Sequence, residues 1–294
     1  MELNWLEDLL VLLDEKSITR AAARRHVTQP AFSRRIRQLE QWLGVEIVDR
    51  TTKPVSIRNT GLALEDSVRD LVNRLYSLRN SVHENQDSVT FVAQHTLAIS
   101  HFPALIRKLK NSLPESSYRV VPANYDECES LFYREADLLL CYQSDQRQFD
   151  FSHKAVHKLN LGKDRLIPVA SRRLASQLGE LTPGMALPLL MYQQGSFMAD
   201  TLAGSCLPEV IRDYRVAVVC ESAFSASLKE MMLADMGIAW LAGEMIDKEL
   251  ATDSIVSLAS LLGEVELDIL LYYRDEALPV KVGQVIAGFL EPRQ

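Results

Sequence analysis

No stretch of this 294-residue chain approaches the ~20 consecutive apolar residues that cross a bilayer, so a helical membrane span is excluded. The opening MELNWLEDLLVLL is apolar, but it carries Glu2, Glu7 and Asp8 and no basic start. That argues against a secretory signal, and the cytoplasm is the expected location. Cysteine is scarce. Cys128, Cys141, Cys206 and Cys220 show neither a CxxC pair nor a metal spacing and read as buried free thiols. Catalytic punctuation is missing too: there is no GxSxG, no HExxH, no Gly-rich phosphate loop and no carboxylate pair at a telling spacing. Little remains for an enzyme, and no cofactor or metal is expected. His153 and His157 stand four apart, a spacing that joins two ligands on a helix. The surrounding FDFSHKAVHKLNL reads as a strand-like linker with no third ligand.

Net positive charge is also lacking. The total is −7, which on its own argues against nucleic acid. The distribution reverses that argument. Residues 16–58 hold ten Lys or Arg against three Asp or Glu, an excess of +7, while residues 1–15 contribute −5 and residues 59–294 contribute −9. A phosphate-binding surface needs local positive charge, not a positive total.

That basic segment contains SITRAAARRHVTQPAFSRRI, residues 17–36. Ser17 suits an N-cap, and Ala21 and Ala22 are small enough for a second helix to approach. His26-Val27-Thr28 interrupts the pattern, and Thr28-Gln29-Pro30 restarts it, with proline in the first turn where its missing N–H costs nothing. Phe32, Ile36, Leu39 and Leu43 then form one apolar stripe. Pro30, Ser33, Arg34, Arg37 and Gln41 lie opposite. A helix with these two faces reads as the recognition helix of a helix-turn-helix. Trp5, Leu6, Leu9, Leu10 and Leu13 predict a helix before it. Short β-like pieces at 45–48 and 55–58 predict a wing that carries Arg50 and Lys53.

Residues 60–87 read as one long helix capped by Thr60. Leu64, Val68, Leu71, Leu75, Leu78 and Val82 alternate in steps of four and three, the pattern of a dimerising coiled-coil seam, with a plain core helix as the alternative. Beyond a hinge at 85–88 the character changes. Strand-like runs at 89–93, 118–121, 137–142, 165–170, 187–191, 215–220, 237–241 and 265–273 alternate with helical patterns near 102–111, 126–134, 171–178, 197–203, 222–235 and 280–289. This predicts an α/β region of two lobes with mainly parallel sheets.

With these residues in view, the chain resembles a LysR-type transcriptional regulator over its whole length. ITRAAARRHVTQPAFSRRIRQLEQWLGVEIVDR is similar to the family's small-residue helix, Ser/Thr-Gln-Pro restart, Arg-rich recognition helix and Arg before the wing. LFYREADLLL (131–140) and ESAFSASLKEMMLADMGIAWL (221–241) resemble later family segments, and QHTLAISHFPALI and GIAWL resemble the branch containing the hypochlorite-responsive regulator. The wing departs from the pattern, with Thr52-Lys53-Pro54 in place of the frequent glycine. Leu241 is followed by Ala242-Gly243 where many members have proline. The resemblance implies a winged helix-turn-helix (1–58), a linker and dimerisation helix (59–88) and a two-lobed, periplasmic-binding-protein-like effector domain (89–294). In that domain, lobe I spans 89–161 and 266–294 and lobe II spans 162–265.

It also implies a homodimer or a homotetramer built as a dimer of dimers, acting on double-stranded DNA and RNA polymerase and gated by a small-molecule effector. Gln29 and Ser33 suit base edges and Arg34 suits guanine or phosphate, while Thr28, Arg37, Arg50 and Lys53 suit phosphates. The effector site is expected where strands end and helices begin. Its candidates are Gln94, His95, Thr96, Ser100, His101, Gln143, Gln193, Gln194, Gly195, Ser196, Glu221 and Ser222, with Phe102, Tyr192, Phe197, Met198 and Phe224 as walls. Hydroxyls and helix starts predict a small organic acid, aromatic ones included. Each hydroxyl has the alternative of being only a helix cap. The rival readings are a regulator switched by Met or Cys oxidation, with Met198 the attractive candidate, an enzyme on a two-lobed α/β fold, and a structural nucleoid protein.

Overall fold

Helical periodicity governs the first part of the chain and strand alternation the second, and the computed structural model divides there, after His83, into two compact units. It describes residues 2–51, 56–83, 88–149, 151, 155–274 and 280–290.

The first unit runs α1 (Leu3–Glu15), α2 (Ile18–Arg24), α3 (Gln29–Leu43), β1 (Val48–Asp49), β2 (Ser56–Ile57), α4 (Asn59–Ala63) and α5 (Glu65–His83). Ser17 caps α2, its hydroxyl accepting the Arg20 N–H at 3.4 Å. Between α2 and α3 the chain turns through His26 in the left-handed conformation at φ +55°. Thr28 has the extended backbone of an N-cap, but its hydroxyl makes no capping bond, and Pro30 occupies the first turn. Gly44 ends α3 at φ +72°, a conformation that favours glycine. Phe32, Ile36 and Leu39 pack on Leu6, Leu9, Leu12 and Leu13 of α1, with Ala21 and Ala22 letting α2 close over them. β1 and β2 pair antiparallel, Val48 with Ile57 and Asp49 with Ser56, as the base of the expected wing. Lys53, at the expected tip, lies outside the described residues.

The linker departs from its expected form. Thr60 does not cap one long helix; its hydroxyl donates to the Glu46 carbonyl at 2.6 Å, and a turn at Leu64 separates α4 from α5. The expected seam also divides. Val68 is buried in the core of the unit together with Val72 and Tyr76, and Leu64 packs at its edge. Leu71, Leu75 and Leu78 are exposed, and the Val82 side chain lies outside the described residues. The apolar arc of α5 is thus wider than a heptad seam. Val72 and Tyr76 broaden it toward α1, as the ~3.6-residue repeat of a straight helix allows.

The second unit begins with β3 (Ser88–Gln94), α6 (His95–Ser100), α7 (Phe102–Ser112), β4 (Ser117–Ala123), α8 (Tyr125–Glu135) and β5 (Leu138–Gln143). It crosses over through β6 (Val156–Ser171) into α9 (Arg172–Leu178), β7 (Ala186–Tyr192), α10 (Phe197–Ala203), α11 (Leu207–Asp213), β8 (Arg215–Ser222), α12 (Ser225–Leu233), β9 (Ile238–Ala242), α13 (Gly243–Ala251), β10 (Ile255–Ser257) and α14 (Ala259–Leu262). It returns through β11 (Val265–Arg274) to α15 (Val280–Leu290). All eight expected strands are present. The sheet runs β4-β3-β5-β11-β6-β9-β7-β8, with β10 pairing β6.

Parallel pairing is confined to the two ends, β4–β3–β5 and β9–β7–β8. Antiparallel β11 and β6 join them, so the sheet is mixed where mainly parallel pairing was expected. β6 begins nine residues earlier than its apolar run because its first half pairs with β11 while half exposed. Along that shared pair the register slips between Ile269 and Leu270, opposite Gly162 at φ +148°. Strands buried on both faces give the continuous apolar runs, as at Leu138–Tyr142.

Candidate functional sites

In the first unit, α3 presents Gln29, Pro30, Arg34 and Arg37 to the surface, with Ser33 half-buried and Thr28 exposed at its start. Most of the other arginines of the basic segment are paired within the unit. Arg25 lies 2.7 Å from Glu7 and 2.7 Å from the fully buried Asp8, which also holds Arg35 at 3.3 Å. Tyr76 donates to the other Glu7 oxygen. Arg24 pairs with Asp14 and Glu15, Arg20 with Glu15, and Arg58 with Glu46. The acidic first helix therefore neutralises much of the +7 read from the sequence. Among the described residues, Arg34 and Arg37 have no ion pair, and both lie on the exposed face of α3.

Arg50 does not stand free as the expected phosphate contact. It lies 2.7 Å from Glu40, a buried residue whose carboxylate also accepts the Ile47 and Val48 N–H groups at 2.9 and 3.0 Å. Burial pushes the Glu40 carboxyl up, but Arg50 and the two amides outweigh it and hold it below the ordinary glutamate range. Arg50 thus fastens the end of α3 to the base of the wing. Sequence spacing could not show this, because a surface arginine and a paired one read alike.

In the second unit a cleft of about 340 Å³ opens where β3, β4, β7 and β8 end and α6, α8, α10 and α12 begin. Ten of the expected residues line it: Gln94, His95, Thr96, Tyr192, Gln193, Gln194, Gly195, Ser196, Phe197 and Met198. The structure does not place Ser100, His101, Gln143, Glu221, Ser222 or Phe224 on its lining. Ser100 turns back to donate to the Thr96 carbonyl at 3.0 Å. His101 lies 2.9 Å from Glu244, and Gln143 accepts the Tyr272 hydroxyl at 3.2 Å. Ser222 accepts the Phe224 N–H at 3.1 Å. The exposed Phe224 ring meets His95 edge-on at 5.0 Å. Phe102 is buried against Phe91 instead of walling the cleft.

The α8 rim was missed. Ala123, Asn124, Tyr125, Asp126 and Glu127 line the cleft, as do Ala223 and Ser225. The strand-end rule points there too, because Asn124 follows β4 and caps α8 in a capping box with Glu127. Arg147 bridges Asp126 at 2.5 Å and Asp200 at 2.8 Å and lies over the Tyr125 ring at 5.1 Å. Tyr125 in turn stacks between Phe149 and Phe197. Ser196 is committed as a cap, accepting the Ala199 N–H at 3.3 Å.

Among the described residues no cluster of three or more His, Cys, Asp or Glu could hold a metal, and no helix is long and apolar enough to cross a membrane. His153 lies outside the described residues, and His157 in β6 stacks on Tyr273. Burial pushes the Cys128, Cys141 and Cys206 thiols above the ordinary range, so none of the three is a ready nucleophile.

An exposed Arg-bearing helix in a small winged unit, and an α/β unit with a cleft at its strand ends, define a DNA-binding regulator with an effector domain. Residues 3–61 match the bacterial regulatory helix-turn-helix protein of the lysR family. Residues 83–291 match the LysR substrate binding domain. The chain belongs to the LysR family of transcriptional regulators.

It is 28% identical over 267 residues to the HTH-type transcriptional regulator YjiE of Escherichia coli K12, covering 88% of this chain and 84% of that protein. Vibrio fischeri DarR, solved in complex with DNA, is 26% identical at a TM-score of 0.58, covering 100% of this chain and 99% of that one. Full-length HypT of Salmonella typhimurium, described as hypochlorite-specific, shares the fold at 23% identity and a TM-score of 0.58, covering 98% of this chain and 97% of that one.

Proposed function

We propose that the chain is a transcription factor, not an enzyme, whose dimer reads inverted DNA half-sites and whose affinity for them depends on a small organic molecule held in the interlobe cleft. The cleft is the observation that carries this reading: four helix starts and four strand ends face one space of ligand size. Paired α3 helices place Gln29, Ser33 and Arg34 at base edges and Thr28 and Arg37 at phosphates. A ligand switches the output only by favouring one assembly geometry over another. RNA polymerase is the partner that such a switch addresses, in the cytoplasm, and a dimer of dimers is the larger assembly it allows.

The acid expected from free hydroxyls loses the support of Ser196, which caps its own helix. Sequencing genomic fragments retained by the full chain tests the DNA reading. The expected result is an inverted repeat with half-sites about one helical turn, or a multiple, apart; retention of random DNA with equal affinity would refute it.

Dimerisation falls to the exposed half of the divided seam. Leu75→Glu is expected to shift the chain toward monomer in sedimentation at micromolar concentration while the first unit's melting temperature holds. Val72→Asp is expected to do the opposite, because Val72 is core. Equal self-association of Leu75→Glu and the natural chain rules α5 out as the seam.

A second reading rests on Met198, which lines the cleft between Phe197 and Ala199. Oxidation there places a polar sulfoxide in the cleft wall. Hypochlorite treatment followed by peptide mass spectrometry and operator binding tests it. A response that survives Met198→Leu sinks the idea.

A further inference from the structure

Three hydroxyls and one carbonyl form a continuous line along the cleft wall. Thr96 Oγ1 lies 2.8 Å from Ser225 Oγ. The Tyr192 hydroxyl lies 3.0 Å from Ser225 Oγ and 3.0 Å from the Trp240 carbonyl oxygen. All three side chains are more than nine-tenths buried, at 7% exposure for Thr96 and 4% for Ser225 and Tyr192. The carbonyl is available because β9 pairs with β7 only through Ile238 and Ala239, leaving Trp240 beyond that ladder.

Each contact is a hydrogen bond only if a proton lies in it, and two buried oxygens at this separation without one repel. A hydroxyl carries one proton and a carbonyl none. Three contacts and three protons match one to one. The carbonyl can only accept, so Tyr192 donates to it. Ser225 then donates to Tyr192, and Thr96 donates to Ser225. The relay runs one way, from Thr96 to Trp240. Thr96 Oγ1 is left with lone pairs and no proton for a ligand.

Gln94 is fixed with the opposite polarity. Its Oε1 accepts the Tyr142 N–H at 2.6 Å. A backbone N–H can only donate, so the atom there is the amide oxygen, and the NH₂ end is the one left for the cleft. The wall thus offers a donor at Gln94 and an acceptor at Thr96. Among the described residues no Lys or Arg lines the cleft, whereas Asp126 and Glu127 do.

A carboxylate has acceptors only, and at Thr96 it sets lone pairs against lone pairs. A primary carboxamide carries an N–H and a C=O side by side. We infer that the cleft selects a neutral, carboxamide-type ligand that donates to Thr96 and accepts from Gln94, and not a carboxylate. This rests on the reading of the cleft as the effector site.

The test is calorimetric titration of the full chain with benzamide and benzoate, which match in size and differ in polarity. Benzamide is expected to bind about ten-fold or more tightly than benzoate. Thr96→Val keeps the shape, removes the acceptor and loses the benzamide site. Ser225→Ala releases the Thr96 proton and brings the two ligands within about two-fold, whereas Ser225→Thr, which keeps a hydroxyl, restores the preference. Circular dichroism melts confirm that each variant is folded at the titration temperature. Thr96-dependent benzoate binding equal to or tighter than benzamide overturns the polarity and leaves the cleft reading standing. No Thr96-dependent binding by either overturns both.

Discussion

Glu40→Ala is expected to unfold the DNA-binding unit well below the temperature at which the natural chain melts. The substitution strips the Ile47 and Val48 amides of their buried acceptor and leaves the Arg50 guanidinium without its carboxylate. Each orphaned buried amide costs about 1–3 kcal/mol, a large part of the ~5–15 kcal/mol that holds a domain together, and the solvent-reaching Arg50 adds less. Glu40→Gln keeps an acceptor for the amides and is expected to fall between the two.

The pH dependence follows from the depressed Glu40 carboxyl. A carboxyl held lower when folded contributes stability above its unfolded value of 4.5 and loses it as pH falls through the folded value. Melting curves of the natural chain and Glu40→Gln should therefore differ at neutral pH and converge in acid. A gap that stays constant down to acid pH means that Glu40 is not the ionised keystone described here.

The second large effect belongs to the recognition helix. Replacing Arg34 and Arg37 together by alanine is expected to lower operator affinity by about 10²-fold or more near physiological salt. It should also flatten the dependence of log K on log salt by about one for each arginine that meets a phosphate. Arg50→Ala is the control. It should lower the melting temperature of the unit and leave the salt slope of the folded protein unchanged, because its charge is engaged by Glu40. A salt slope that falls with Arg50→Ala, at full stability, would return Arg50 to the DNA contacts expected from the sequence.

Helix α3 was legible because its two faces differ in kind. Phe32, Ile36 and Leu39 repeat at helical spacing and are buried, and the residues between them are polar. The strands were legible for a related reason: burial on both faces leaves uninterrupted apolar runs. What escaped was decided by partners distant in the chain. Arg25 and Arg35 count as positive charge in a window, yet Asp8 of α1 holds both. Val68 and Leu71 are equivalent in a heptad, and only the packing of α1 separates the buried one from the exposed one. β10 and α14 are too short to carry a period. At the cleft, residues directly after an apolar strand were found at β3 and β7. The β4 rim was overlooked because that strand is half exposed and its apolar signal weak.

The slip between Ile269 and Leu270 falls in the one pair of strands that both halves of the effector unit share. β6 and β11 belong to both halves, so neither half can slide away or rotate freely without tearing a ladder. At the slip the extra residue of β6 and the unusual backbone of Gly162 interrupt the regular pairing. Bending concentrates at such an interruption. The pair of strands is one continuous strip with a single crease. Under the function proposed above, a ligand in the cleft would meet two halves joined by that one creased strip.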